Sequence, residues 1–188
     1  VGAVIHRPPR EEIRMASNGA KLPNDLIGIA GVHFVAMKLT LRALIALPTV
    51  RNTAGIDILV SEPSTRAQAA LQVKTSLSRV SIWPTSLPAK CIHGLRSFYV
   101  LLRYLAAKQE FEAFLEAGDR VAEQVRKGLE ERQKKGQSEF PFWSLPKGDD
   151  EIKRVRTQWE TWRPRQRSWD PNRGRCSCPA AVRPTMLV

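Results

Sequence analysis

A chain of 188 residues, 43% of them hydrophobic, is long enough to bury a real core and short enough to favour one domain. Lysine and arginine number 30 against 18 aspartates and glutamates, a net charge of +12 with a pI near 10.3, which favours a polyanionic partner over an acidic one. Three cysteines exclude a disulfide framework, no apolar run reaches transmembrane length, and the N-terminus has no basic-then-apolar leader pattern; the expectation is a cytoplasmic, intracellular protein with no membrane partner.

Residues 1–20 hold Pro8-Pro9 and Ser17-Asn18-Gly19 without periodicity and read as disordered, with Met15 a candidate start. Residues 21–162 read as a single domain. Asn24 or Asp25 is a suitable N-cap for a helix over 26–42, with Ile27, Gly31, Phe34, Val35 and Leu39 on one stripe. Ile29, Val32 and Ala36 make the other side apolar as well, which predicts a helix packed on both sides. Residues 43–50 read as a strand whose Pro48 suits a sheet edge. A turn follows at 51–55, where Gly55 takes a conformation that a side chain would resist.

Strands are then expected at 56–61 and 69–75, joined through Pro63-Ser64. In the second, Leu71-Gln72-Val73-Lys74 alternates apolar and polar, so Gln72 and Lys74 share a face while Val73 points into a core. If the two strands pair, Asp57 at the start of the first comes close to Gln72 and Lys74. An acid, an amide oxygen and an ammonium then converge at one end of a hairpin.

Residues 76–94 read as irregular, because Trp83-Pro84 and Leu87-Pro88 interrupt regular structure. Thr75, Ser76, Ser78, Arg79, Ser81 and Lys90 supply donors suited to phosphates, and Trp83 is expected in the core. Strand formers fill 97–105. Residues 106–135 are open to one long helix, or to a break at Gly118 with a helix capped by Asp119, carrying Val121, Val125 and Leu129 on one side and ending at Gly136. Phe140-Pro141-Phe142-Trp143 reads as a core plug. A last helix is expected over 149–162, with Ile152, Val155, Trp159 and Trp162 on one face. Residues 163–188 read as a disordered basic tail, whose Cys176 and Cys178 lack the partners of a zinc site.

The charge excess is not a property of the tail. Residues 21–103 carry ten basic side chains against three acidic ones, a sign of nucleic-acid contact by the folded part.

Gly55-Ile56-Asp57 followed by Gln72-Val73-Lys74 resembles the PD-(D/E)XK nuclease superfamily, in a Gln-x-Lys variant found in uncharacterised nuclease-like proteins. The resemblance covers about residues 24–104 and extends more weakly to Trp162. It implies an α/β, restriction-endonuclease-like core: an N-terminal helix, a mixed four-stranded sheet and C-terminal helices, with a short strand near 111–115. Asp57 stands at the family's Asp position, Gln72 at its Glu position and Lys74 at its Lys position. The implied catalytic residues are therefore Asp57, Gln72 and Lys74. The implied ligands of Mg²⁺, or of Mn²⁺ in its place, are Asp57, the amide oxygen of Gln72 and the carbonyl of Val73. In the family a Gly-Glu pair on the first helix adds a further acid; here Gly31 is followed by Val32. His33 stands about a quarter-turn away and is not expected as a ligand.

No glycine-rich phosphate loop, Ser-His-Asp spacing or helical His pair occurs in the sequence. Three readings follow: a metal-dependent endonuclease acting on DNA, a nuclease-like fold that binds nucleic acid without cutting it, and a protein-interaction domain. A homodimer is compatible with all three.

Overall fold

The computed structural model describes residues 23–50, 55–77, 81–92, 94 and 96–164. The expected disordered stretches 1–20 and 163–188 lie outside these, apart from Arg163 and Pro164, as do the turn at 51–54, the donors Ser78 and Arg79, and both tail cysteines.

The architecture is mixed α/β. Helix α1 (Asn24–Thr40) leads into β1 (Ile45–Pro48), β2 (Ile58–Ser61) and β3 (Gln68–Leu77). Next come β4 (Ile82–Pro84), a 3-10 turn at Pro88–Lys90, β5 (Ser97–Leu105) and β6 (Glu110–Ala117). Helix α2 (Gly118–Lys134), β7 (Phe142–Ser144) and α3 (Asp149–Thr161) complete it. The main sheet has the order β1-β2-β3-β5-β6, and β4 pairs with β7 in a sheet of two. The main sheet has five strands rather than the expected four, because β6 pairs antiparallel with β5 through Val100↔Leu115. The break at Gly118 is therefore real, and 106–135 is not one helix.

The expected strands 56–61 and 69–75 do pair, antiparallel, with Ile58 opposite Leu71. Strand β3 then lies parallel to β5 from Ala70↔Ser97 to Leu77↔Tyr104. Sheets of this kind are covered on both faces, hence the apolar run in β5. Leu71, Val73, Val100 and Leu102 point to α1 and meet Val35 and Leu39. Tyr99, Leu101 and Phe114 point the other way, to Val121 and Val125 of α2 and to Trp83 and Trp143.

Trp83 is fully buried, as expected, and its indole N–H donates to the Leu102 carbonyl at 2.8 Å. The segment 76–94 is more regular than its prolines suggested. Trp83 lies opposite Trp143 in the β4–β7 pair, and the rings are 5.5 Å apart. Of the expected plug at 140–143, Phe142 and Trp143 belong to the strand that partners the crossover, and Trp143 is buried, whereas Phe140 is exposed.

Two caps differ from expectation. Helix α1 is entered through Pro23 with no side-chain cap, so Asn24 and Asp25 lie within its first turn. Helix α2 begins at Gly118, and Asp119 instead accepts the Gly94 N–H at 3.1 Å. At the other end of α2, Gly136 at φ +62° lets its N–H reach the Gln133 carbonyl and the Gln137 N–H reach the Arg132 carbonyl, closing the helix as a Schellman motif.

Helix α1 packs on one side only. Ile27, Gly31, Val35 and Leu39 are buried, but Leu26 stays 53% and Met37 50% exposed, because the sheet offers a single face and no second layer covers the helix among the described residues. Helix α3 lies along β6. Arg154 pairs with Glu116 at 2.9 Å, Arg156 pairs with Glu112, Val155 enters one core and Trp159 the other. The Arg42 guanidinium, just past α1, donates to the Trp159 carbonyl at 2.5 Å and stacks on its ring, while Arg163 donates to the Arg42 carbonyl at 3.0 Å.

Gly31 sets how closely α1 approaches the sheet. A Cβ there would stand 2.1 Å from Thr75 Oγ1 and 3.0 Å from a Leu102 methyl. Gly31→Ala should therefore cost about 1–3 kcal/mol as overpacking. Thr75→Ala should restore part of that in the double variant, since Thr75 Oγ1 is itself buried without a hydrogen-bond partner. Urea unfolding of the two single variants and the double variant checks this; strictly additive losses would mean that the two residues do not meet.

Candidate active site

The site begins where two strands part. Strand β2 stays with the β1 side down to Asp57, whose carbonyl accepts the Thr49 N–H at 2.9 Å. Regular pairing of β2 with β3 ends at Ile58↔Leu71, although the Asp57 N–H still reaches the Leu71 carbonyl at 2.9 Å. Beyond that point the Val73 N–H has no strand carbonyl opposite it, and Asp57 Oδ2 accepts it instead, at 2.7 Å. A strand residue sends its N–H and C=O to the same side. The Val73 carbonyl is therefore turned toward Asp57 as well.

Asp57 is half-buried. Burial pushes its carboxyl above the usual range; the Val73 N–H and the Lys74 ammonium pull it back, and burial prevails. Lys74 is thus within electrostatic reach of the acid. Gln72 is 7% exposed and stands one residue past Leu71, the last residue of β3 paired with β2. Gly55 adopts φ +72° beside it, and a Cβ on Gly55 would stand 3.7 Å from Gln72 Nε2. The next strand places buried Tyr99 beside Gln72. Burial first, then Cys91 and the more distant charge of Asp57, push its hydroxyl well above the ordinary phenol range.

By the pleat, Gln72 and Lys74 lie on the face of β3 turned toward Tyr99, away from α1. A cleft of about 520 Å³ opens on the α1 side, lined by Asp25, Val32, His33, Thr49, Asp57 and Val73 among others. Asp57 sits at the strand edge between the two sides: it lines the cleft, and its charge is felt by Lys74 and Tyr99. Val32 lines the same cleft. Asp25 and His33 do too, although the sequence marks the first only as a cap and the second as pointing elsewhere. Residues 25, 29, 32 and 33 fall on adjoining positions of one helix face, and that spacing is the signal for the cleft. No group of three or more His, Cys, Asp or Glu side chains is placed to hold a metal among the described residues.

No protein family, curated protein or solved structure matches the chain.

A carboxyl whose pKa is raised by folding binds its proton more tightly in the folded state. Its contribution to stability is then full below the unfolded pKa and lost as pH rises through the folded one. Asp57→Asn cannot ionise but keeps an oxygen for the Val73 N–H. It should melt above wild type at about pH 7, with the gap closing toward about pH 3. Thermal unfolding across that range checks it; a gap that does not change with pH would rule out burial of the charge as the cause.

Proposed function

We propose that the described residues form a restriction-endonuclease-like domain whose Asp57 centre acts on the phosphodiester backbone of DNA with the help of Mg²⁺. The observation that carries this is the fork itself: one carboxylate held on the Val73 N–H, a carbonyl turned the same way, and an amide and an ammonium on the residues either side of Val73. The donor set suits a hard cation, because the free Asp57 oxygen, the Val73 carbonyl and the Gln72 amide oxygen are all oxygens. Only one of them carries charge, so the fit is for weak holding completed by water and phosphate oxygens. Mg²⁺, when bound, polarises the phosphate and makes water a better nucleophile. Lys74 stabilises negative charge on the phosphate. The Val73 N–H fixes the orientation of the Asp57 carboxylate. Mn²⁺ is the natural substitute.

A nicking assay on supercoiled plasmid tests the cleavage centre. Wild type should nick with Mg²⁺ or Mn²⁺ and stop on chelation, and Asp57→Asn and Lys74→Ala should lose at least tenfold in rate. Nicking that survives Asp57→Asn would refute the assignment.

Val32 favours a second reading. It lines the Asp57 cleft where the resembled family supplies a glutamate, so a scaffold that binds nucleic acid without cutting it is the alternative. In that case wild type is silent and the Val32→Glu/Gln72→Glu double variant gains metal-dependent nicking. Under either reading the basic folded part binds DNA. Affinity should drop at least tenfold between about 50 mM and about 200 mM salt, and should persist in part when residues 165–188 are deleted. Filter binding checks both; a shortened chain that shows no affinity at low salt would assign the charge effect to the tail alone.

A further inference from the structure

A second cavity lies at the other end of β3. About 570 Å³ in volume, it opens between the start of β3, the residue before β5, the end of β6, and helices α2 and α3. Four arginines line it: Arg96, Arg120, Arg154 and Arg163. Two are already committed. Arg154 neutralises Glu116, which is 6% exposed, and Arg163 pairs with Glu62 at 3.1 Å. Arg96 and Arg120 are exposed, and Arg120 reaches Glu116 only at 4.0 Å. Arg96 has no ion pair among the described residues and Arg120 only this long one, so both guanidiniums on the cavity wall can take an anion. Their planar forks match phosphate oxygens.

The lining also has an apolar, aromatic part, formed by two half-buried rings that pack on the core beneath α1. Phe98 and Trp162 meet edge to face at 5.3 Å beside Leu115. Aromatic surface facing guanidinium groups is the pairing that holds a base and its phosphate together. The volume falls within the range of small-molecule sites. A rigid duplex does not enter such a cavity, whereas one nucleotide does. Along β3, Gln68 in this wall is four residues from Gln72, or roughly 13 Å. The cavity is thus separate from the Asp57 fork.

We infer that this arginine-lined cavity binds a single 5′-phosphorylated nucleotide, free or at the end of a strand, with Arg96 and Arg120 on the phosphate and Trp162 and Phe98 against the base. It does not depend on the cleavage reading, and the two fail on different residues.

Isothermal titration of the full chain at low salt with deoxyadenosine monophosphate, inorganic phosphate and deoxyadenosine is the test. The nucleotide should bind at least tenfold more tightly than either of the others. Arg96→Gln/Arg120→Gln should weaken it at least tenfold with an unchanged melting temperature, because both side chains are exposed. Asp57→Asn should bind as wild type. A 5′-phosphorylated tetranucleotide that competes better than its 5′-hydroxyl counterpart assigns a strand end; equal, weak competition by both assigns the free nucleotide. Phosphate binding as well as the nucleotide, no binding of the nucleotide, an unaffected double arginine variant, or loss through Asp57→Asn would each overturn the inference.

Discussion

The parallel pairing of β3 with β5 is the constraint from which most of the structure follows. Parallel neighbours cannot be joined by a tight turn. The chain leaving β3 at Leu77 must return to the far end of the sheet before Ser97. On the way it lays Trp83 over one face, where Phe114 and Trp143 complete an aromatic layer. That face is then finished by α2, and the other is left to α1. Gly118 marks how tight the arrangement is: a Cβ there would come within 2.3 Å of the Ile92 carbonyl. The start of α2 is thereby set against the end of the crossover.

Local patterns were readable and long-range partnerships were not. The alternation in Leu71-Gln72-Val73-Lys74 and the strand formers of 97–105 place both central strands, because burial on both faces leaves a strong signature. The face of α3 with Ile152, Val155 and Trp159 was equally plain. By contrast, pairing of Ile82–Pro84 with Phe142–Ser144 joins two short aromatic segments some sixty residues apart, and neither carries enough pattern to name the other. The apolar surround of α1 predicted two packed sides, and periodicity cannot tell a doubly packed helix from one with an uncovered back. At the site, the shared face of Gln72 and Lys74 was legible in their alternation with Leu71 and Val73. The parting of β2 from β3, which puts Asp57 on the edge between two sides, leaves no local pattern to read.

That edge position has an electrostatic meaning. A half-buried carboxylate is expensive unless something answers its charge. Here one backbone N–H and one nearby ammonium do so in part, and burial still wins. With a neutral amide on Gln72 and a valine on the helix side, the centre holds a single formal negative charge among its proposed donors. Any cation bound there is therefore held largely by its other ligands, so occupancy should track the presence of an anionic substrate rather than the cation concentration alone.

Helix α3 gives the chain an order of assembly. Its Arg154 answers the buried Glu116, its Trp159 finishes the core beneath α1, and Arg42 grips it from the opposite end of the sequence. A nascent chain that has emerged only as far as β7 therefore has every strand of its main sheet, but Glu116 on β6 has only the distant Arg120 to answer it. The sheet is completed against α3 only once that helix has left the ribosome. Until then the surface that Val155 and Trp159 cover stays open, which makes the interval between synthesis of β6 and of α3 the period in which a chaperone would be needed.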